Sequence, residues 1–315
     1  MLDKIRRIPA GTFLVPMILS MITYTIAPNL FMVGGLTQAL FSGQSVTFIA
    51  AILTFFSGTL IDLKHIGKLL KRQGTLFIFK ILFSMFLAWG YIALFGHDGI
   101  MGISGLAFAS TITSINPAIY LLTAKSYGTK LDTGAYGLFG IMSLPIFPIF
   151  LYSLFYSGGG TIDWTPVISI LIPLVFGLFF GNVDPDFTEL FGPGISAILP
   201  FLGWNVGQGV NLIDAVRSGL PGLILTAVFV IAMSSLVVLD KYILKNDGLL
   251  GMALITVAGL STSSPAVVAV TFPEMEQYVS SATTQILLAC VLTSVLVPIV
   301  IARRARKMNK KTNRL

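Results

Sequence analysis

Two clusters of small polar residues, each closed by a proline, are the part of the sequence best suited to binding chemistry. Thr113-Ser114-Ile115-Asn116-Pro117 and Thr262-Ser263-Ser264-Pro265 both lie within apolar stretches. Proline removes a backbone donor and clashes with the preceding turn, so a helix is expected to break at each cluster. Asn116 and Ser264 are favoured N-cap types, and proline is favoured at the first helical position. The sequence therefore predicts that a half-helix starts at each of these two residues.

The start of a half-helix favours a negatively charged ligand. Its backbone N–H groups are unpaired and carry a partial positive charge, which together attract an anion such as a carboxylate. The candidate substrate-binding residues in the two clusters are Thr113, Ser114, Asn116, Thr262, Ser263 and Ser264. The alternative is a proline-kinked helix in which the serine and threonine hydroxyls bond back to the preceding turn.

Further polar side chains interrupt two other apolar stretches. Amides and hydroxyls both donate and accept hydrogen bonds, as a hydroxylated substrate requires. The additional candidates for substrate binding are Ser57, Asn205, Gln208 and Asn211. The alternative is hydrogen bonding between helices that Gly58, Gly207 and Gly209 would allow to pack closely.

The two proline-closed clusters occupy equivalent places in an internal duplication. A proline pattern recurs at an offset of 157 residues, as Pro9, Pro16 and Pro28, then Pro166, Pro173 and Pro185. Thr113 and Thr262 are 149 residues apart, as are Gly58 and Gly207. We predict a single transmembrane domain over residues 1–315, with repeat one at about 1–157 and repeat two at about 158–315. Long repeats in an apolar chain are typical of secondary transporters.

The composition is that of a membrane protein, since 55% of the residues are hydrophobic and only 10% are charged, against about 25% charged in soluble domains. Ten apolar stretches are long enough to cross a hydrocarbon core of about 30 Å as helices. They cover residues 10–32, 44–61, 74–95, 99–123, 134–156, 164–181, 194–211, 219–239, 248–271 and 280–302. Because each repeat holds five, an odd number, the second repeat enters the membrane in the opposite sense. The predicted fold is an all-α membrane protein of ten transmembrane helices in two inverted five-helix repeats, with helices 4 and 9 broken.

Positive charges are concentrated on one side of this predicted membrane domain. Lysines and arginines cluster before helix 1, between helices 2 and 3, after helices 4 and 8, and in the tail that begins at Arg303. The positive-inside rule places these clusters and both termini in the cytoplasm. Lys80 is predicted to extend its side chain to the same side from helix 3. The net charge of +7 is explained by these cytoplasmic lysines and arginines, so no nucleic-acid partner is expected.

The apolar stretches lack the groups that catalysis or metal binding would need. They hold no Asp or Glu well inside them, and the two histidines, His65 and His97, lie outside them. We therefore predict no enzyme, no metal site and no cofactor. Proton coupling through a central acid is therefore unsupported by the residues, whereas a sodium site can be assembled from neutral oxygens. A sensor or scaffold without transport activity is disfavoured, because no loop is long enough for a soluble signalling domain.

Several short motifs are distributed in a fixed order along nearly the whole chain. They are Ile8-Pro9-Ala10-Gly11, Leu14-Val15-Pro16, Gly74-Thr75, Tyr127-Gly128-Thr129-Lys130, Gly134-Ala135, Gly181-Asn182-Val183-Asp184-Pro185 and Pro298. In these motifs the chain resembles the bacterial 2-keto-3-deoxygluconate permease family, within the wider group that includes bile-acid:sodium symporters. The resemblance implies that the broken helices 4 and 9 cross. It also adds Tyr120 to the candidate site, while Thr113 and Met142 stand where the family pattern has acidic residues.

Together these observations predict a secondary active transporter of the bacterial plasma membrane. The resemblance implies proton-linked uptake of 2-keto-3-deoxygluconate, a six-carbon sugar acid, or of a related small sugar acid, by alternating access. The expected partners are the anionic substrate and the lipid bilayer. Two alternatives stay open: a sodium-coupled carrier for another organic anion, and a membrane sensor or scaffold that does not transport.

Overall fold

The computed structural model describes residues 5, 11–129, 132–133, 135–156, 164–208, 213 and 219–312. Within these ranges the chain is helical, and its only β feature is an isolated bridge between Ile100 and Ile103. The described part therefore agrees with the predicted all-α class.

The first half of the chain contains eight helices among the described residues. They are α1 (Gly11–Ile26), α2 (Gly35–Phe41), α3 (Val46–Thr59), α4 (Leu63–Phe95), α5 (Gly105–Ile112), α6 (Pro117–Tyr127), α7 (Tyr136–Gly140) and α8 (Ile146–Tyr156). A 3-10 turn, Ile141–Ser143, joins α7 to α8.

The second half contains eight more among the described residues, three of them flanked by short turns. They are α9 (Thr165–Val183), α10 (Pro185–Phe191), α11 (Gly194–Gly207), α12 (Gly219–Met233), α13 (Ser235–Val238), α14 (Leu249–Ala253), α15 (Ser264–Thr271) and α16 (Glu276–Thr312). The flanking turns are a π turn at Leu239–Ile243 and 3-10 turns at Leu260–Ser263 and Pro273–Met275.

Several described helical segments are long and apolar enough to cross a membrane. Five qualify by length and composition: Gln73–Phe95, Gly105–Tyr127, Pro185–Gly207, Gly219–Ile243 and Pro273–Met308. Two bent pairs raise the number to seven if each is one span: α2 with α3, at 62°, and Tyr136–Ser143 with Ile146–Phe155, at 46°. The chain is thus a multi-pass membrane protein. Helix occurs in each of the ten predicted stretches, but ten crossings stay a prediction.

Two helix pairs join the halves of the chain through glycines. Helix α11 packs against α1, and α9 packs against α3. A Cβ added to Gly203 of α11 would lie 2.2 Å from the Phe13 carbonyl oxygen, and one added to Gly177 of α9 would lie 2.0 Å from that of Phe55. Each glycine has a second one four residues later, so both contacts use a small-xxx-small pattern that lets backbones touch. The close packing at Gly207 that the alternative interpretation proposed is present, since its added Cβ would lie 2.4 Å from the Met17 carbonyl oxygen.

The prediction for Lys80 is wrong. Its side chain is fully buried, and Nζ donates to the backbone carbonyl of Ile112 at 2.7 Å instead of reaching the end of the helix. Ile112 is the last residue of α5, so its carbonyl lacks the partner that a continuing helix would supply. The break in the next helix thus gives the lysine an acceptor inside the protein.

Candidate functional site

Two of the interruptions between helices contact each other. Residues 113–116 separate α5 from α6, and residues 254–259 separate α14 from the 3-10 turn that starts at Leu260. The backbone N–H of Asn116 donates to the carbonyl of Thr256 at 3.1 Å. Backbone groups freed by one interruption are therefore satisfied by the other, as a break inside a membrane requires.

Serine hydroxyls connect the two interruptions. The backbone N–H of Ala258 donates to Ser114 Oγ at 2.9 Å, and Ser114 Oγ lies 2.7 Å from Ser261 Oγ. Ser261 Oγ in turn donates to the carbonyl of Ser143 at 3.2 Å. Since each hydroxyl has one hydrogen, this order makes Ser114 the donor to Ser261. The chain of hydrogen bonds fixes how the two broken segments cross.

The first predicted half-helix start is confirmed. Asn116 is the N-cap of α6, with Pro117 in the first turn, and Asn116 Oδ1 accepts from the backbone N–H of Ala118 at 3.1 Å. Asn116 Nδ2 donates to Ser294 Oγ at 3.3 Å. The amide therefore both caps α6 and ties it to α16.

The second predicted start is displaced. Ser264 is the first residue of α15 and not its N-cap; the N-cap is Ser263, which makes no capping bond through its side chain. A 3-10 turn precedes it, with the Thr262 N–H donating to the Gly259 carbonyl at 3.1 Å. Proline has no N–H that the preceding turn must satisfy, so tight helical geometry extends back from Pro265 to Leu260. The N-cap of the helical segment in repeat two is thus Gly259, five residues before the predicted N-cap, Ser264.

A cavity of about 630 Å³ lies against both helical starts. Asn116, Pro117 and Ala118 line it from the start of α6, and Ala258, Gly259 and Leu260 line it from the start of the 3-10 turn. Its other polar lining residues are Thr12, Ser57, Tyr136, Ser143, Ser196 and Ser294. No charged side chain is among the described lining residues, so the partial positive charges of the helical starts are its main fixed electrostatic feature.

Two of the predicted substrate-binding residues, Asn116 and Ser57, line this cavity. The predicted residues of the two proline-closed clusters that lie behind the lining are Thr113, Ser114, Thr262, Ser263 and Ser264, all of them buried. Three of them bond to their own helical turn: Thr113 Oγ1 donates to the Ala109 carbonyl, Thr262 Oγ1 to that of Gly259, and Ser263 Oγ to that of Leu260. These three hydroxyls therefore bond back to the preceding turn, as the alternative interpretation of the clusters proposed.

Three further predicted residues, Tyr120, Asn205 and Gln208, are not among the residues that line the cavity. Tyr120 is fully buried and donates to the backbone carbonyl of Asp132 at 3.0 Å. Asn205 Nδ2 donates to the Leu40 carbonyl at 2.8 Å, and Gln208 Nε2 donates to Ser20 Oγ at 2.8 Å. Asn205 and Gln208 thus bond between helices, as their alternative interpretation proposed. Asn211 lies outside the described residues.

Sequence reasoning missed most of the polar cavity lining. Ser143 sits in the 3-10 turn after α7, Ser196 in the first turn of α11 and Ser294 in α16. Each lies in an apolar stretch without a cluster closed directly by proline, and only Ser294 has a neighbouring hydroxyl, that of Thr293. A proline follows each of them, Pro145 after Ser143, Pro200 after Ser196 and Pro298 after Ser294, and Pro298 also lines the cavity. Met142, where the family pattern has an acid, is buried next to Ser143.

Comparison with known proteins covers nearly the whole chain. Residues 2–310 match the family model described as KdgT, 2-keto-3-deoxygluconate permease. A 2-keto-3-deoxygluconate permease of Enterobacter sp. (strain 638) is 31% identical over 312 residues, which cover 96% of this chain and 92% of the relative. 2-keto-3-deoxygluconate permease 1 of Salmonella typhimurium is 26% identical, with 98% of this chain and 96% of the relative covered.

A third relative, the 2-keto-3-deoxygluconate permease of Escherichia coli O139:H28, is 27% identical, with 99% of this chain and 96% of the relative covered. These names describe permeases and not enzymes, in agreement with the predicted class. The match over residues 2–310 and the end-to-end relatives lead to one conclusion: the chain belongs to the 2-keto-3-deoxygluconate permease family.

Proposed function

We propose that this chain is a secondary transporter that takes up 2-keto-3-deoxygluconate, or a closely related small sugar acid, across the bacterial plasma membrane. The observation that carries the proposal is the cavity of about 630 Å³ at which the starts of two broken helices meet. The names of the relatives supply the substrate class.

The chemistry of the cavity suits a sugar acid. A substrate of this class has one carboxylate and several hydroxyls. The carboxylate is placed at the helical starts, next to Asn116 and Gly259, where the positive ends of the two helix dipoles favour an anion. The substrate hydroxyls face Ser57, Ser143 and Ser294. Ser57 Oγ and Ser143 Oγ each donate to a backbone carbonyl of their own turn and therefore accept from the substrate. Ser294 Oγ accepts from Asn116 Nδ2 and keeps its hydrogen for the substrate.

The proposed transport cycle is alternating access by ten helices in two inverted repeats, with both termini in the cytoplasm. At the repeat offset, α1 corresponds to α9 and α3 to α11, so the α1–α11 and α3–α9 contacts are counterparts of each other. Thr12, near the start of α1, and Leu60, just after α3, line the cavity. Both lie at the cytoplasmic ends of their helices in the predicted topology, which assigns this conformation to the inward-facing state.

The proposed coupling ion is the proton, from the family resemblance. Sodium is the alternative, because the described cavity lining consists of neutral side chains, and sodium sites are built from neutral oxygens. A transport assay with imposed pH or sodium gradients distinguishes the two coupling ions.

Uptake of labelled 2-keto-3-deoxygluconate into proteoliposomes tests the proposal. We expect counterflow without any ion gradient, accumulation when a pH gradient is imposed, and no additional accumulation with sodium. Other small sugar acids are offered as competitors, and protein-free liposomes are the control. Counterflow indistinguishable from the protein-free control, for every acid tried, would leave the sensor or scaffold as the better interpretation.

A further inference from the structure

A lysine is buried in the middle of an apolar helix. Lys80 belongs to α4 and lies seven residues after Gln73, where the apolar part of that helix begins. At 1.5 Å per residue this distance is about 10 Å along the helix axis. The side chain is fully buried. Ionisable residues at such depth are costly and mark ion or proton pathways in membrane proteins.

The amine of Lys80 contacts the end of the broken helix. Nζ donates to the Ile112 carbonyl at 2.7 Å, lies 3.0 Å from Met233 Sδ, and stands over the Phe229 ring at 5.0 Å from its centroid. Ile112 ends α5, so its carbonyl belongs to the negative end of that half-helix. The interruption that follows it, residues 113–116, leads directly to Asn116 in the cavity.

The elements around this amine supply no charged partner. Helices α5, α12 and α13, which supply or adjoin the residues around the amine, contain no titratable side chain in their sequences. Helix α8, which also packs against α4, carries Tyr152 and Tyr156. Two buried acids lie on neighbouring segments, and both have other partners. Asp132 accepts from Gln73 Nε2 of α4, and Asp240 accepts from Asn246 Nδ2 and from the Gly251 N–H. On α4 itself, the lysines before Gln73 and Tyr91 beyond the centre lie at least two turns from Lys80. Among the described residues, no carboxylate pairs with Lys80.

The lysine also breaks the symmetry of the duplication. At the offset of 149 residues that relates Gly58 to Gly207 and Thr113 to Thr262, the counterpart of Lys80 is Phe229. These two counterparts are in contact. A packing role shared by both repeats would not need an amine in only one of them.

We propose that the Lys80 amine is the group that carries the coupled proton, an inference that rests on the proposed function. A proton from extracellular water adds to the lone pair of the neutral amine. The resulting ammonium donates to the Ile112 carbonyl, and the proton leaves to cytoplasmic water when that contact opens. Because the same half-helix end leads to Asn116, proton and substrate favour one arrangement of the crossing, which is the requirement for coupling.

Three lysine variants in proteoliposomes test this role: Lys80→Arg, Lys80→Met and, as a control on the exposed part of the same helix, Lys71→Met. Arginine keeps the charge and can donate to Ile112, but it cannot release its proton. For both Lys80 variants we expect pH-driven accumulation of labelled 2-keto-3-deoxygluconate to fall by about tenfold or more, the size of a typical coupling. We expect counterflow to be retained, and Lys71→Met to match the wild type in both assays.

The outcomes separate this inference from the proposed function. Wild-type accumulation by Lys80→Arg would overturn the inference, as would loss of both accumulation and counterflow in a folded Lys80→Arg protein, which marks a structural role. Accumulation that the wild type drives with sodium alone would overturn it as well. Absence of counterflow in the wild type would instead refute the proposed function. If Lys80→Met does not fold, Lys80→Arg decides, together with proton uptake measured by an internal pH dye.

Discussion

Replacing Asn116 with aspartate places a negative charge at the point where the substrate carboxylate is proposed to bind. The substitution keeps the side-chain oxygen that caps α6 through the Ala118 N–H at 3.1 Å. Aspartate is also as good an N-cap as asparagine. The helix start should therefore persist, so that the added charge is the main change in the cavity.

The expected effect follows from the proposed contact. Two unit charges about 5 Å apart, at an effective dielectric constant of about 20, repel by about 3 kcal/mol. Since 1.4 kcal/mol is a factor of ten, Asn116→Asp should weaken substrate binding on the order of a hundredfold. Asn116→Ser is the matched control, because serine also caps helices but adds no charge.

Substrate affinity of the purified protein, measured by calorimetry at neutral pH, compares the two variants, and thermal unfolding verifies that both are folded. If Asn116→Asp binds as tightly as Asn116→Ser, the carboxylate does not bind at the start of α6. For an uncharged sugar analogue, in contrast, we expect the two variants to bind equally tightly, because the analogue has no carboxylate for the aspartate to repel.

Three further predictions concern packing and access. Gly203→Ala should lower the melting temperature by several degrees, because its Cβ would lie 2.2 Å from the Phe13 carbonyl oxygen and overpacking costs about 1–3 kcal/mol. The control Gly90→Ala should leave the melting temperature unchanged, because a Cβ at Gly90 has no neighbour within 4 Å. Equal melting temperatures for the two variants would refute the contact at Gly203. Gln208→Leu should lower the free energy of unfolding by about 0.6 kcal/mol, the average for a hydrogen bond between membrane helices, and should leave substrate affinity unchanged. A large loss of substrate affinity would instead indicate that Gln208 binds the substrate. Ser196→Cys, on the exposed cavity rim, should react with an impermeant maleimide from the cytoplasmic side and be protected by substrate, whereas labelling from the outside alone would contradict the inward-facing assignment.

The sequence predicted the break at Asn116 correctly because all its determinants are local. An N-cap residue followed by proline is enough to start a helix, and α6 starts there. The same logic misplaced the second start, because whether a 3-10 turn precedes Pro265 is decided by the segment that crosses it. Ser114 Oγ, from the other half of the chain, accepts from the Ala258 N–H.

Long-range contacts also explain the other differences from sequence-based expectation. Lys80 finds its acceptor 32 residues away, at Ile112, which no hydropathy pattern specifies. Ser143 and Ser294 line the cavity because helices distant in sequence converge there, whereas Asn205 and Gln208, more conspicuous in the sequence, bond between helices. The all-α membrane class could be predicted, because it depends on the length of the apolar stretches alone, whereas the ten crossings stay a prediction.

A structure with bound 2-keto-3-deoxygluconate tests the central claim most directly. We predict that its carboxylate lies in the cavity between the start of α6 at Asn116 and the start of the 3-10 turn at Gly259, within hydrogen-bond distance of at least one of them. A carboxylate bound outside this cavity, or a sugar acid oriented with its carboxylate away from both helical starts, would contradict the account.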